Sequence, residues 1–156
     1  MITFKAYPGA ECKGDFAGTK SDCRVIIDGQ NSRSNGINAY PRKFVRFEGF
    51  EIRNHTGDGV YLQGYYDTSA DGLELVSCKV HHNGNDAVSF RGNSKNCLVE
   101  NCELHDNSQT GISFGGGSGH KMRGNNIHYN GKDGTRGGGD NQLIESNIMY
   151  DQFHTD

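Results

Sequence analysis

The sequence predicts an all-β solenoid, a parallel β-helix, and three observations predict it. A short strand-like motif recurs through the chain, its apolar anchor returns at intervals in the low twenties, and each copy divides into three short strands separated by turns. The motif reads EGFEIRNH (48–55), VSCKVHHN (76–83), ENCELHDN (100–107) and RGNNIHYN (123–130), with a looser copy in ESNIMYDQ (145–152). Its anchors are Ile52, Val80, Leu104, Ile127 and Met149, separated by 28, 24, 23 and 22 residues. That period, with three strands per repeat, is the size of one coil of a stacked β-solenoid. The Leu-rich solenoid is the rival, but its L-x-x-L-x-L signature is absent.

Each coil justifies its own elements. Upstream of the anchor, inward positions alternate as Val45 and Phe47, Leu73 and Leu75, Cys97 and Val99, giving the first strand. The anchor itself marks the second. Downstream, a polar or glycine turn leads to GVYLQG (59–64), AVSFRG (87–92) or GISFGG (111–116), the third. Stacking at the interstrand spacing of ~4.8 Å turns equivalent positions into columns. One inward column is the anchor series; a second is Leu62, Phe90 and Phe114; a third is Phe50, Cys78, Cys102, Asn125 and Asn147, ending in two asparagines able to hydrogen-bond as a ladder. About six coils are expected in one domain spanning 1–156, with neither end bearing an evident cap. An open coil end exposes unpaired backbone and apolar side chains. It implies either a piece of a longer β-helix or burial against another subunit, a homo-oligomer through the coil ends.

Composition narrows the function classes. The 156 residues include 23 glycines, which would each cost about 1 kcal/mol inside a helix and so argue against a helical bundle. The net charge of −3 does not favour a nucleic-acid partner. No apolar run approaches the ~18 residues of a membrane-spanning helix. Cys78, Cys97 and Cys102 fall on inward positions and read as buried thiols. Cys12 and Cys23 flank an insertion and are expected to form a disulfide, which would imply an oxidising, extracytoplasmic setting. The first residues, MITFKAYPGA, lack the apolar core of a signal peptide, so an exported form takes its leader from a longer precursor or has lost it.

Chemistry is expected on matched outward positions. Arg53, His81, His105, His128 and Tyr150 form one column, readable as a metal or proton-transfer site or as a solvated polar ladder. Glu51, Lys79 and Glu103 form a neighbouring column suited to cross-strand ion pairing. Asp58, Asp86 and Asp133 each precede a third strand, with Thr110 interrupting the series. Three readings stay open for them: calcium ligation by Asp58 and Asp86, the carboxylate pair of a glycosidase, and simple turn formation.

The stretch NCELHDNSQTGISF (101–114) resembles the repeats of right-handed parallel β-helix proteins of the pectate-lyase-like superfamily. The opening ITFKAYPGAEC and the later VIIDGQ (25–30) are similar to the first coils of secreted, polysaccharide-degrading members. The coils look most like those of family-nine pectate lyases, whose calcium site uses paired aspartates in an N-G-D-D-G-type turn and whose base is a lysine in a G-F-K-L-G-G-type strand. Here HNGNDAVSF keeps Asp86 but has Asn85 for the first aspartate, and GISFGGG has Ser113 where the lysine would stand. The polygalacturonase residue set is absent as a group.

The resemblance thus implies a carbohydrate-active protein acting on a polysaccharide, an acidic one if the lyase likeness holds. Two alternatives follow: a divergent or truncated lyase or hydrolase, and a non-catalytic glycan-binding or structural segment. In the first, Asp58, Asp86 and Asp133 bind calcium or act as acid and base, and Arg136, one coil further on and matched to no family position, serves as a base or carboxylate clamp. Arg91, His81 and His105 contact substrate and Tyr61 stacks on a sugar ring.

Overall fold

The computed structural model describes residues 1–6, 25–40, 42–64 and 70–153. The expected disulfide between Cys12 and Cys23 lies outside the described residues. All regular structure within them is strand, and every strand pairing is parallel.

Three sheets run the length of the stack. The first contains β1 (Ile2–Lys5), β4 (Val45–Glu48), β8 (Glu74–Val76), β12 (Leu98–Glu100), β15 (Lys121–Arg123) and β18 (Leu143–Glu145). The second contains β2 (Val25–Asp28), β5 (Phe50–Arg53), β9 (Lys79–His81), β13 (Glu103–His105), β16 (Asn126–His128) and β19 (Ile148–Tyr150). The third contains β3 (Ile37–Asn38), β6 (Val60–Gly64), β10 (Val88–Gly92), β14 (Ile112–Gly115) and β17 (Thr135–Gly137). A minor pair, β7 (Ala70–Asp71) and β11 (Ser94–Lys95), bridges the return to the first sheet. Five coils therefore carry all three main strands, and the sixth carries two within the described residues.

The registers reproduce the inward columns. Ile52, Val80, Leu104 and Ile127 pair in series and are fully buried. Leu62, Phe90 and Phe114 do the same in the third sheet. At the first and last described coils the apolar columns meet solvent, through Ile2, Phe4, Val25 and Ile26 at one end and Ile144, Ile148, Met149 and Phe153 at the other.

What bends each coil is a residue held in the left-handed backbone region. Between the first and second sheets these are Gly49, Ser77, Asn101, Gly124 and Ser146; between the second and third they are Asn54, His82, Asp106, Tyr129 and Asp151. Gly, Asn and Asp reach that region most easily, which explains most of both rows. Glycine is obligatory at Gly117, where φ is +86° and a Cβ would lie 1.7 Å from the Ser94 carbonyl oxygen.

Two amide ladders lock the corners. Asn125 Oδ1 accepts from the Cys102 N–H at 2.9 Å, and Asn147 Oδ1 accepts from the Asn125 N–H and side-chain amide at 3.0 and 2.9 Å. A second, unforeseen ladder runs through His55, Asn83, Asn107, Asn130 and Gln152 at the next corner. Each side chain satisfies backbone groups of the neighbouring coil that the turn leaves unpaired.

Candidate functional site

The aspartate series proves to be a third ladder. Asn35 Oδ1 accepts from the Asp58 N–H at 2.9 Å, Asp58 Oδ1 from the Asp86 N–H at 3.0 Å, and Asp86 Oδ1 from the Thr110 N–H at 3.0 Å. Asp58 and Asp86 are 3% and 0% exposed, so neither presents a carboxylate to solvent. Burial pushes the Asp58 pKa up, and the Asp86 carboxylate adds to the effect. The second oxygen of Asp86 has no hydrogen bond and lies 3.6 Å from an Arg91 guanidinium nitrogen. A cation so close, with one oxygen of each aspartate already engaged, does not fit a calcium ion between Asp58 and Asp86. Among the described residues no group of three or more His, Cys, Asp or Glu side chains is arranged around a metal position.

The other expected residues disperse. Asp133 is half-buried in its turn, its backbone carbonyl accepting from the Gly111 N–H at 2.9 Å. Arg136 is exposed on the outer face of the third sheet, in register with Ser113. Tyr61 lies on the same face, hydrogen-bonded to Gln63. Arg91 donates from Nε to Ser89 Oγ at 2.8 Å. Arg91 and Arg136 stand two coils apart, roughly 10 Å along the axis. The structure therefore pairs Arg91 with Asp86 but leaves Asp133 and Arg136 apart from them.

The histidine column is a ring stack. His81 and His105 are parallel at 4.9 Å, His105 and His128 at 5.0 Å, and Tyr150 continues the series at 5.0 Å from His128. Two nitrogens on one metal ion lie at most about 4.2 Å apart, given metal–nitrogen bonds of about 2.0–2.1 Å. The in-plane lone pairs of rings stacked this far apart lie in parallel planes and do not converge on one ion. His81 and His105 are each only 9% exposed, and burial lowers both pKa values. His105 Nδ1 and an Asp106 carboxylate oxygen are 2.6 Å apart. His81 Nε2 lies 3.2 Å from Glu51 Oε1, which also accepts from Arg53 at 2.8 Å. In the neighbouring column Lys79 pairs with Glu103 at 3.3 Å.

A concave surface lies where the second sheet turns into the third. A groove of about 540 Å³ there is lined by residues including Asn31, Asn54, Thr56, His82, Asp106 and Ser108. A second hollow of about 370 Å³, lined by Asp28, Arg33 and Asn35 among others, adjoins it across His55. The left-handed corner residues Asn54, His82 and Asp106 place one polar side chain per coil along this groove, and Tyr129 follows them on the next coil. The sequence held a signal for this row: it is the position directly after the outward Arg/His column, read as N-H, H-N, D-N and Y-N in the recurring motif.

A family model described as the right handed beta helix region matches residues 65–155. The chain belongs to this family. Comparison with curated proteins and with solved structures gives no match. The parallel sheets and the repeat agree with membership in that family.

Proposed function

We propose that this β-helix binds a polysaccharide along the corner between its second and third sheets. The observation that carries the reading is the row of Asn54, His82 and Asp106, set one coil apart in an open polar groove. A polymer of similar units is met by hydrogen-bonding groups repeated every ~4.8 Å, and amide, imidazole and carboxylate side chains suit sugar hydroxyls as donors and acceptors. The exposed carboxylate of Asp106 favours a neutral glycan over a polyanionic one. Exposed Tyr129 offers an aromatic face on the next coil.

Binding without cleavage is the reading the aspartates support. Asp58 and Asp86 each spend one oxygen on a backbone donor beneath the surface, and Ser113 stands where a lyase base is expected from the resemblance. The test is a panel of neutral and acidic polysaccharides, with calcium and with chelator. Retention by affinity electrophoresis, reducing ends and the ultraviolet absorbance of unsaturated uronates would be followed in parallel. Retention by a neutral glycan with no new product is expected. An unsaturated product would establish a lyase, new reducing ends alone a hydrolase, and no retention by folded protein would remove the carbohydrate reading.

A further inference from the structure

We propose that the corner groove continues into an aromatic subsite, built on Tyr129 and Phe153, that takes one neutral pyranose ring by its C–H face. This subsite rests on the glycan reading above and sets the sugar class: β-linked rings with every substituent equatorial, the gluco and xylo configurations.

Backbone and sequence both mark the position. Along the corner row the left-handed residues are Asn54, His82 and Asp106, followed by Tyr129 with φ of +52°. Asn and Asp reach that region most easily, whereas for a bulky aromatic side chain it is an outlier. Backbone strain of this kind concentrates at ligand clamps and other working sites. The adjacent row, one residue after each member of the corner ladder, reads Thr56, Gly84, Ser108 and Gly131. Phe153 then puts a large apolar ring where those coils carry small side chains. It is tied there by its N–H, which donates to the Asn130 carbonyl at 2.8 Å.

Four rings hold one another in place at this point. Tyr129 and Phe153 are nearly parallel, with planes 24° apart and centroids at 5.8 Å. Tyr150 meets Tyr129 steeply at 5.9 Å, and His128 does so at 5.1 Å. Tyr129 and Phe153 still remain 39% and 56% exposed. Tyr129 belongs to the coil before the last described one and stands at a corner, outside the inward columns. Its exposure is therefore not that of an open coil end. A contiguous exposed apolar patch rimmed by polar residues is a mark of a ligand-binding groove.

The neighbours of the patch decide what suits it. Asp106 and Ser108, on the coil before Tyr129, line the groove with a carboxylate and a hydroxyl able to bond sugar hydroxyls. The charge of Asp151, and more weakly that of Asp106, raises the Tyr129 pKa, so the phenol stays protonated. Two carboxylates beside the rings disfavour an anionic sugar. The occupant is therefore uncharged, polar at its rim and apolar on its face. An all-equatorial pyranose meets that description. Its hydroxyls lie around the edge, and axial C–H bonds cover both faces, where they meet the electron-rich face of an aromatic ring. An axial hydroxyl, as in mannose, puts a polar group on one face.

Cellotetraose, xylotetraose and mannotetraose are titrated into the whole chain. The chain has no tryptophan, so its ultraviolet emission reports the tyrosines; saturation-transfer NMR shows which sugar protons touch the protein. Cellotetraose and xylotetraose are expected to change the emission saturably, with the strongest transfer to axial ring protons. Mannotetraose should bind at least about threefold more weakly. Tyr129→Asn, which suits the left-handed backbone, should weaken cellotetraose binding about tenfold, whereas Tyr129→Phe, which keeps the ring, should lose less than about threefold. Circular dichroism and thermal melting check the fold of each variant. Undiminished binding by Tyr129→Asn, or mannotetraose bound as tightly as cellotetraose, would overturn the subsite. If Asn54→Gly with Asp106→Gly loses binding that Tyr129→Asn keeps, the groove stands and the aromatic subsite alone falls. No binding of any of the three sugars by folded wild type removes both.

Discussion

Replacing Asn107 by alanine should be among the most damaging single changes to the stack. Its side chain is 1% exposed and serves three coils at once. Oδ1 accepts from the backbone N–H and the side-chain amide of Asn83 at 3.2 and 2.9 Å. Nδ2 donates to the Val80 carbonyl at 3.2 Å, the His105 carbonyl at 3.0 Å and Asn130 Oδ1 at 3.0 Å. Alanine leaves at least the two Asn83 donors buried without a partner, at about 1–3 kcal/mol each. Adding the small void left behind, the loss is about 3–5 kcal/mol, a large part of the ~5–15 kcal/mol typical of a domain. With a urea m-value near 2 kcal/mol/M, the midpoint should fall by about 1.5–2.5 M. The assay is urea unfolding followed by circular dichroism. Asn147→Ala, in the last coil and only half-buried, should shift the midpoint much less. Equal small shifts of under about 0.5 M for both would refute the claim that interior corner amides hold the coils together.

Other consequences are equally direct. His120 is 0% exposed, stacked against Phe90 at 5.2 Å and Phe114 at 5.5 Å, with the Cys97 N–H, Ser94 Oγ and the Gly116 carbonyl facing its ring nitrogens. Burial lowers its pKa below the ordinary 6.5, opposed by the Gly116 carbonyl. The unfolded chain therefore takes up the proton first, so this stability is fully present above about pH 6.5 and is lost as pH falls below it, by up to about 1.4 kcal/mol per pH unit. His81 and His105 act in the same direction; His120→Gln should flatten the acid limb of a stability–pH curve, and an unchanged slope would contradict the assignment. Burial pushes the Cys97 thiol up to about 12 and raises that of Cys102 well above its usual value. Alkylation of both at about pH 8 should therefore proceed only as fast as the protein unfolds, and rapid modification of either in folded protein would refute their burial. Gly111→Ala places a Cβ 2.5 Å from the Gly134 carbonyl oxygen and from Ile127 Cγ2, so a loss of at least about 1–3 kcal/mol is expected in thermal melting.

The architecture was legible because apolar identity repeats with the coil: Ile52, Val80, Leu104 and Ile127 announce one column without any structural knowledge. The terminal asparagines Asn125 and Asn147 were readable as a ladder for the same reason. The candidate site was not legible in that way. Asp58 and Asp86 look alike whether they face solvent or a backbone N–H of the next coil, and only the turn geometry distinguishes the two. The histidine column was visible as a register, yet whether its rings stack or converge depends on side-chain rotamers that a one-dimensional pattern does not carry. The groove residues were hidden by their diversity, because Asn54, His82, Asp106 and Tyr129 share a backbone conformation and not a side-chain type. Tyr129 is unusual there, since bulky side chains other than histidine seldom hold the left-handed region.

The central claim is that the corner row, and not the outer face of the third sheet, makes the polysaccharide contact. The most direct measurement is the affinity of the best-retained glycan for two double variants, each checked for fold. Asn54→Gly with Asp106→Gly removes corner side chains while keeping a residue suited to the left-handed backbone; Tyr61→Ala with Arg136→Ala strips the third-sheet face. The first pair is expected to weaken binding at least tenfold, about 1.4 kcal/mol, while the second changes it by less than about twofold. The reverse order would contradict it and return the site to the face carrying Tyr61 and Arg136.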